Sequence, residues 1–566
     1  MLHDLALTAP LLILLFAAMF TLVVDPFLKA DESARRFWGW FGAAFAGLAL
    51  VTAALLFKFG PFEMQTPAFA YHLSASRYSL FFVALISLCT LVTHLASPKY
   101  MVEQGVSYGE YYALINFAAF GMACMVSAES LISLFISLEI MSMAIYVLVA
   151  FKRTSLASVE AGMKYFIMGA VGSALLLYGM AFIYGLSGST TYVEISRALI
   201  KPQANGDFWL GLAMLLTGAA FMFKVAAAPF HMWAPDAYEG APTPITGFMS
   251  SAVKAAGFAA LLKFLFAAMA GPAMGELHTA LPKIIATVAV LSMTVGNLLA
   301  LTQKNVKRVL AYSAVAHAGY LLLGCVAWIA DPTLAGYQQP TGAVPFYLVG
   351  YALASLAAFA ALAAVGKNGE ELTGEAQLIG MGRRHPYAGA VLALAMISLA
   401  GVPPTLGFFG KLQLVRDVLG VEDSKYLPHV VILVLNSVVS AYYYLRVTVY
   451  IYMRPEGRMP REYVRETSLD WAMGLTAAGI LFIGALPGRA MQLGQTAVGS
   501  LRTGVSVAHL AYEQLPLGPS QALQVRPPVE NPAAQAPTEG QPGDQAAARP
   551  VPAREPAAKD APAGIK

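Results

Sequence analysis

Charge of either sign is scarce in this sequence. Asp, Glu, Lys and Arg make up 12% of its 566 residues and leave a formal net charge of only +4, which gives a nucleic-acid partner no basic surface to bind. Cysteine is nearly absent. Cys89, Cys124 and Cys325 lie in apolar runs at unrelated spacing, with no CxxC or Cys/His pattern, so zinc, haem and iron–sulfur ligation lack a scaffold. The three read as small buried hydrophobes. A basic leader is missing too: the first apolar run, Leu5 to Val24, follows MLHD and reaches Asp25-Pro26 without a small-residue cleavage site. It reads as a retained helix rather than a signal peptide.

What the sequence has in quantity is apolar length. Hydrophobic residues reach 58% and the mean hydropathy is +0.63, with repeated runs of about 20 residues, the length that crosses a bilayer. The runs fall at 5–24, 37–58, 79–97, 111–127, 130–151, 161–184, 208–238, 244–270, 282–301, 307–329, 343–366, 387–419, 428–453 and 469–488. They define an all-α polytopic membrane protein of about fourteen transmembrane helices, of which spans 7 and 12 are broken by prolines.

The few basic residues are unevenly shared between alternate connections. One set, including Lys152, Arg153, Lys304, Lys307, Arg308, Arg383 and Arg384, holds sixteen Lys and Arg; the other holds Arg77, Arg197, Lys201 and Lys425. The richer set belongs in the cytoplasm, and both termini then face outward. The two broken spans, five helices apart, each pair a proline break with one lysine: Lys224 before Pro229, Lys411 after Pro403-Pro404. An odd offset reverses one unit relative to the other, the pattern of two inverted five-helix repeats, spans 4–8 and 9–13. The expected divisions are a three-helix segment at 1–110, repeats at 111–270 and 271–453, a last span with an interfacial segment at 454–515, and a Pro/Ala-rich tail at 516–566. That tail holds eleven of the 33 prolines and is expected to be disordered.

Charges at membrane depth are the candidate functional residues. The stretch from Phe223 to Lys254 carries Lys224, His231, Asp236, Glu239 and Lys254 among four prolines. Glu139 lies ten residues into the fifth span, beyond snorkelling reach of either end. Lys164, on the sixth span, follows Glu160 by one turn, so an i,i+4 surface pair competes with a transport role. Lys224, Lys254 and Lys411 all sit deep; Lys263, nearer the outer end of span eight, reads as a snorkelling lysine. Each isolated charge costs about 2.5–3.5 kcal/mol to insert, so these residues either pair or line a hydrated path. One ion pair does not account for lysines on spans 6, 7, 8 and 12. Lysine and histidine exchange protons when desolvated, whereas hard cations require oxygen cages. His231 beyond the first break and His317 in AYSAVAHAGY stand between a relay role and that of hydrogen-bonded structural histidines.

The segments FKVAAAPFHMWAPDAYEGAPTPITGFMSSAVKAAGFAALL, SVEAGMKYFIMGAVGSALLLYG, QKNVKRVLAYSAVAHAGYLLLG and LAGVPPTLGFFGKLQLV resemble the subunit N family of bacterial NADH-quinone oxidoreductase, respiratory complex I, over residues 1 to 490. The resemblance implies a proton-translocating, antiporter-like subunit in which Glu139 and Lys224 form a coupling pair, Lys164 and Lys254 match the lysines of spans six and eight, and Lys411 matches the terminal lysine. It implies no cofactor on this chain. FMN, iron–sulfur clusters and quinone would belong to partner subunits, and the partners would be other membrane-arm subunits, the related antiporter-like ones among them, in a bacterial inner membrane. The Pro/Ala-rich tail departs from the family pattern. Two rival readings are a subunit of a multisubunit cation/proton antiporter, with the same fold, and a non-conducting scaffold.

Overall fold

The computed structural model describes residues 2–28, 32–60, 66–69, 72–106, 108–199, 206–267, 275–329, 342–366, 371–421, 425–455 and 466–513. Lys201 and the tail from 514 onward lie outside the described residues.

The chain begins with α1 (Leu2–Leu7), α2 (Ala9–Val24) and α3 (Glu32–Phe59). A short antiparallel hairpin, β1 (Thr66–Ala68) and β2 (Leu73–Ala75), pairs Thr66 with Ala75 and Ala68 with Leu73. It leads into α4 (Arg77–Glu103), α5 (Gly109–Ser127), α6 (Leu131–Val149) and α7 (Leu156–Ser187), then the short α8 (Tyr192–Ala198). Next, α9 (Gly206–Lys224) stops in mid-span and α10 (Trp233–Gly240) completes the crossing. The next span is assembled from α11 (Thr243–Phe248), a π-helical turn (Met249–Val253) and α12 (Lys254–Ala267). Then follow α13 (Gly275–Thr302), α14 (Val306–Ile329), α15 (Ala343–Ala363) and the one-turn α16 (Met381–Arg384). The second broken span is α17 (Pro386–Ala400) with α18 (Leu406–Leu419); α19 (Leu427–Tyr452), α20 (Thr467–Ala485) and α21 (Pro487–Glu513) complete the chain.

Among the described residues eleven helices are long and apolar enough to cross a membrane. With α5 and the two spans led by the shorter apolar helices Phe208–Lys224 and Pro386–Ala400, they make up the fourteen crossings read from the sequence. Helix ends extend beyond the apolar runs: α13 starts at Gly275 rather than at 282, because GELHTA keeps its backbone hydrogen-bonded where hydrophobicity has already ended.

Layering follows from which helices are apolar all round. α14 and α15 are buried along almost their whole length and form the centre. The surface is apolar as well, with Val438 68% and Leu435 60% exposed on α19, as expected where lipid replaces water. Close helix contact relies on small residues. On α13 and α14, a Cβ at Gly296 would lie 2.6 Å from the backbone N of Ala316, and one at Gly319 would lie 2.6 Å from the carbonyl O of Ala289.

Glu371, between α15 and α16, pins four parts of the chain on the Lys/Arg-rich side. Its carboxylate takes the Lys307 ammonium at 3.0 Å and the Thr243 hydroxyl at 2.8 Å, and accepts a further bond from the Tyr100 hydroxyl. Lys307 also donates to the Ala241 carbonyl at 2.7 Å, so the connector from α10 to α11 is held from both sides. Burial alone would push the Glu371 carboxyl upward, but the Lys307 charge and the three donors outweigh it and hold the group below the ordinary carboxylate value of 4.5. A depressed value means stability present above the ordinary pKa and lost as pH falls through the folded one. Amide exchange at Ala241 and Thr243 is therefore expected to accelerate below about pH 4.5 in the wild type, and already at neutral pH in Glu371→Gln, as measured by hydrogen–deuterium exchange.

The interfacial helix expected at the end of the spans forms as α21 over Pro487–Glu513, and part of it packs into the bundle. In α21, Ala497, Val498, Ser500 and Leu501 are buried, and the Ser500 hydroxyl accepts a bond from the Tyr78 backbone N–H at 3.0 Å, closing the first turn of α4.

Candidate functional site

The first break is built by a helix ending that needs a left-handed residue. After α9, the Ala226 N–H bonds to the Phe223 carbonyl and the Ala227 N–H to the Met222 carbonyl, a Schellman pair closed by Ala226 at φ +57°. Glycine usually fills this position; alanine there costs roughly 1–2 kcal/mol. Lys224 is the last helical residue, so its charge lies at the negative end of the α9 dipole.

Lys224 is 5% exposed. Its ammonium donates to the Ser142 hydroxyl at 2.7 Å and to the Tyr146 hydroxyl at 3.5 Å, and lies 5.7 Å from the Tyr146 ring centroid. Glu139, on the same face of α6 as Ser142 and Tyr146, accepts a hydrogen bond from Ser173 on α7. Glu139 and Lys224 are thus not in direct ion-pair contact. Ser142, one turn from Glu139, takes the lysine, and the two charges act on each other across it.

Lys254 follows the π-helical turn, a feature common at functional sites. It is 2% exposed, donates to the Ala314 carbonyl of α14 and lies 5.2 Å from the Tyr351 ring centroid. Lys411, 8% exposed, reaches back across the second break to the carbonyls of Leu399 and Ala400 at 3.2 and 3.0 Å. These are the last carbonyls of α17, so this lysine too meets a negative helix end. Its ammonium is 5.3 Å from the Tyr320 ring centroid.

His317 on α14 is the polar centre between Lys254 and Lys411. It is 3% exposed, with one ring nitrogen 2.6 Å from the Tyr347 hydroxyl and the other 3.0 Å from that of Tyr444. Tyr320 and Tyr351 flank the ring.

Two candidates stand apart from this core. Lys164 is half exposed and paired with Glu160 at 2.8 Å and Asp236 at 3.1 Å; Asp236 and Glu239 also hold Arg308 at 2.9 and 2.7 Å. Lys164 and Tyr146 line an open groove of 880 Å³ along α5, α6 and α7, so Tyr146 forms a wall between Lys164 and the buried Lys224. His231 is half buried beyond the first break and makes no bond to Lys224 among the described residues.

Lys263 overturns its sequence reading. It does not snorkel: its side chain is 1% exposed and ion-paired to Glu129 at 2.7 Å, with Ser74 and the Val126 carbonyl each at 3.3 Å. In the sequence, Ser142, Ser173 and the tyrosines read as ordinary span residues. Their sole signal is helical spacing, as in Glu139, Ser142 and Tyr146 on one face. No group of three His, Cys, Asp or Glu side chains comes together as a metal site among the described residues.

Broken helices in a polytopic bundle, with lysines at both breaks and hydroxyl partners, define an antiporter-like membrane subunit. Residues 128–440 match the family model for the transmembrane region of NADH:quinone oxidoreductase and Mrp antiporters. The chain is 40% identical to NADH-quinone oxidoreductase subunit N of Trichlorobacter lovleyi over 88% of its own length and 97% of that protein, and 43% identical to subunit N 1 of Sorangium cellulosum over 76% and 84%. Among solved structures it resembles a chain of respiratory complex I from Thermus thermophilus with bound aureothin, at TM-score 0.69, 31% identity and coverage of 86% and 99%. A chain of the Mrp complex from a Dietzia species shares the fold, at TM-score 0.75 and 19% identity over 89% and 99%. The chain belongs to the subunit N family of NADH-quinone oxidoreductases.

Proposed function

We propose that this chain moves protons within the membrane arm of an NADH:quinone oxidoreductase through Glu139, Lys224, Lys254, His317 and Lys411, with Lys164 and His231 at the approach to the first break. It carries no redox site of its own; FMN, iron–sulfur clusters and quinone belong to partner subunits, and other membrane-arm subunits, including related antiporter-like ones, flank it. The setting is a bacterial inner membrane with both termini outside, supported by the sixteen-to-four bias of basic residues. Residues 111–270 and 271–453 act as the two inverted units, each with one broken span.

One observation carries this reading. Lys224, Lys254 and Lys411 are buried on three separate spans, and none lies within ion-pair distance of a carboxylate among the described residues. Structural lysines of that depth would be expected to have a counter-charge, as Lys263 and Lys307 do. Hydroxyl, carbonyl and ring partners satisfy an ammonium yet let it lose a proton without stranding an opposite charge. Redox-driven changes that separate Glu139 from Lys224 would release a proton inward along the chain of groups.

Lys411→Ala tests the far end. NADH-driven proton uptake by vesicles is expected to fall several-fold, with NADH–ferricyanide reduction, a measure of the assembled complex, unchanged. Normal uptake would favour a scaffold, and sodium-dependent uptake a cation antiporter.

A further inference from the structure

The gap between Lys254 and Lys411 is spanned by neutral groups. We infer that Tyr347, His317, Tyr444 and Ser313 form a hydroxyl–imidazole–hydroxyl wire that passes a proton between the two lysines without His317 becoming charged. This rests on the relay reading above and names further residues that carry it out.

The geometry is specific to such a wire. Both nitrogens of His317 are engaged by tyrosine hydroxyls, Tyr347 at 2.6 Å on Nδ1 and Tyr444 at 3.0 Å on Nε2. Tyr444 is in turn hydrogen-bonded to Ser313, one turn before His317 on α14. A neutral imidazole has one N–H donor and one acceptor nitrogen, while a hydroxyl both donates and accepts. With Tyr444 donating to Nε2 and Nδ1–H donating to the Tyr347 oxygen, every bond points the same way. An imidazolium would instead place a third positive charge in a site that the Lys254 and Lys411 charges already reach.

The step balances without a charged histidine. A proton arriving on the Ser313 oxygen displaces that hydroxyl's own proton onto the Tyr444 oxygen, and the Tyr444 hydroxyl proton passes to Nε2. The Nδ1 proton passes to the Tyr347 oxygen, and the Tyr347 hydroxyl releases its own proton onward. Each O–H or N–H bond broken is matched by one formed, and His317 ends as its other tautomer, so a reset must precede the next passage. The wire's end residues neighbour the segments that carry or hold the two lysines. Tyr347 packs on Gly410, the residue before Lys411, where a Cβ would come 2.7 Å from the ring. Ser313 adjoins Ala314, whose carbonyl accepts from Lys254.

The test uses the assembled complex in native membranes. Tyr347→Phe and Tyr444→Phe keep the rings and remove the hydroxyls; each is expected to lower NADH-driven proton uptake about tenfold while NADH–ferricyanide reduction stays at wild-type level. Tyr111→Phe removes another buried hydroxyl, bonded to Ser97 at 3.0 Å and outside the relay, and is expected to leave uptake unchanged. If either phenylalanine variant fails to assemble, a ring-fluorinated tyrosine at that position preserves shape and lowers hydroxyl basicity. The wire then requires the pH profile of uptake to move downward, and an unmoved profile overturns it. Normal uptake in both phenylalanine variants with Lys411→Ala inactive defeats the wire alone; normal uptake in all three defeats the relay reading as well.

Discussion

Lys224→Ala is expected to reduce NADH-driven proton uptake by about tenfold or more, with the complex assembled and its NADH–ferricyanide activity intact. The variant should fold. The substitution removes a charge whose insertion costs about 2.5–3.5 kcal/mol, and that gain offsets much of the cavity left by the side chain. The groups that lose a partner are the Ser142 and Tyr146 hydroxyls. Ser142 keeps its own bond to the Leu138 carbonyl, so neither polar group needs a charge to replace the lysine. The loss is therefore one of transfer. Glu139→Ala is expected to produce the same phenotype more weakly, because Glu139 acts on Lys224 only across Ser142. The comparison is made on vesicles matched for flavin-site activity, and coupled uptake at the wild-type ratio in Lys224→Ala would end the relay proposal.

The second large effect concerns stability rather than transport. Glu129→Ala leaves the Lys263 ammonium buried at 1% exposure with only Ser74 and the Val126 carbonyl, and removing one partner of a buried pair costs about 3–5 kcal/mol. The hairpin, α6 and α12 meet at this pair, so these ends of the two helices should loosen together. A marked drop in thermal stability of the purified complex is expected. The double variant Glu129→Gln, Lys263→Met should recover most of it, since removing both charges also removes their desolvation. A double variant no more stable than Glu129→Ala would show that the charges themselves are needed.

The parts of the architecture legible in the sequence are those set by composition along one segment. Apolar run length located the spans, prolines located both breaks, and charge at depth picked out Lys224, Lys254 and Lys411, because each is a local property of a single helix. Partnerships were not legible. Lys263 and Glu129 are separated by more than a hundred residues, and a lysine near a helix end has the same sequence signature whether it reaches water or a carboxylate. Lys164 illustrates the converse: Glu160 was visible at i,i+4, but Asp236 reaches it only because α10 folds back beside α7. The tyrosines around His317 come from α14, α15 and α19, and nothing in any one of these helices announces that their hydroxyls converge.

The second break has a spectroscopic consequence. Lys411 bonds to two backbone carbonyls that no helix amide satisfies, so its ammonium is coupled directly to their stretching frequencies. Isotopic labelling of the Leu399 and Ala400 carbonyls would separate those bands from the rest of the amide envelope. Arrival or departure of a proton at Lys411 then becomes an infrared signal from the peptide backbone itself, readable during turnover without a dye, a substitution or an added probe.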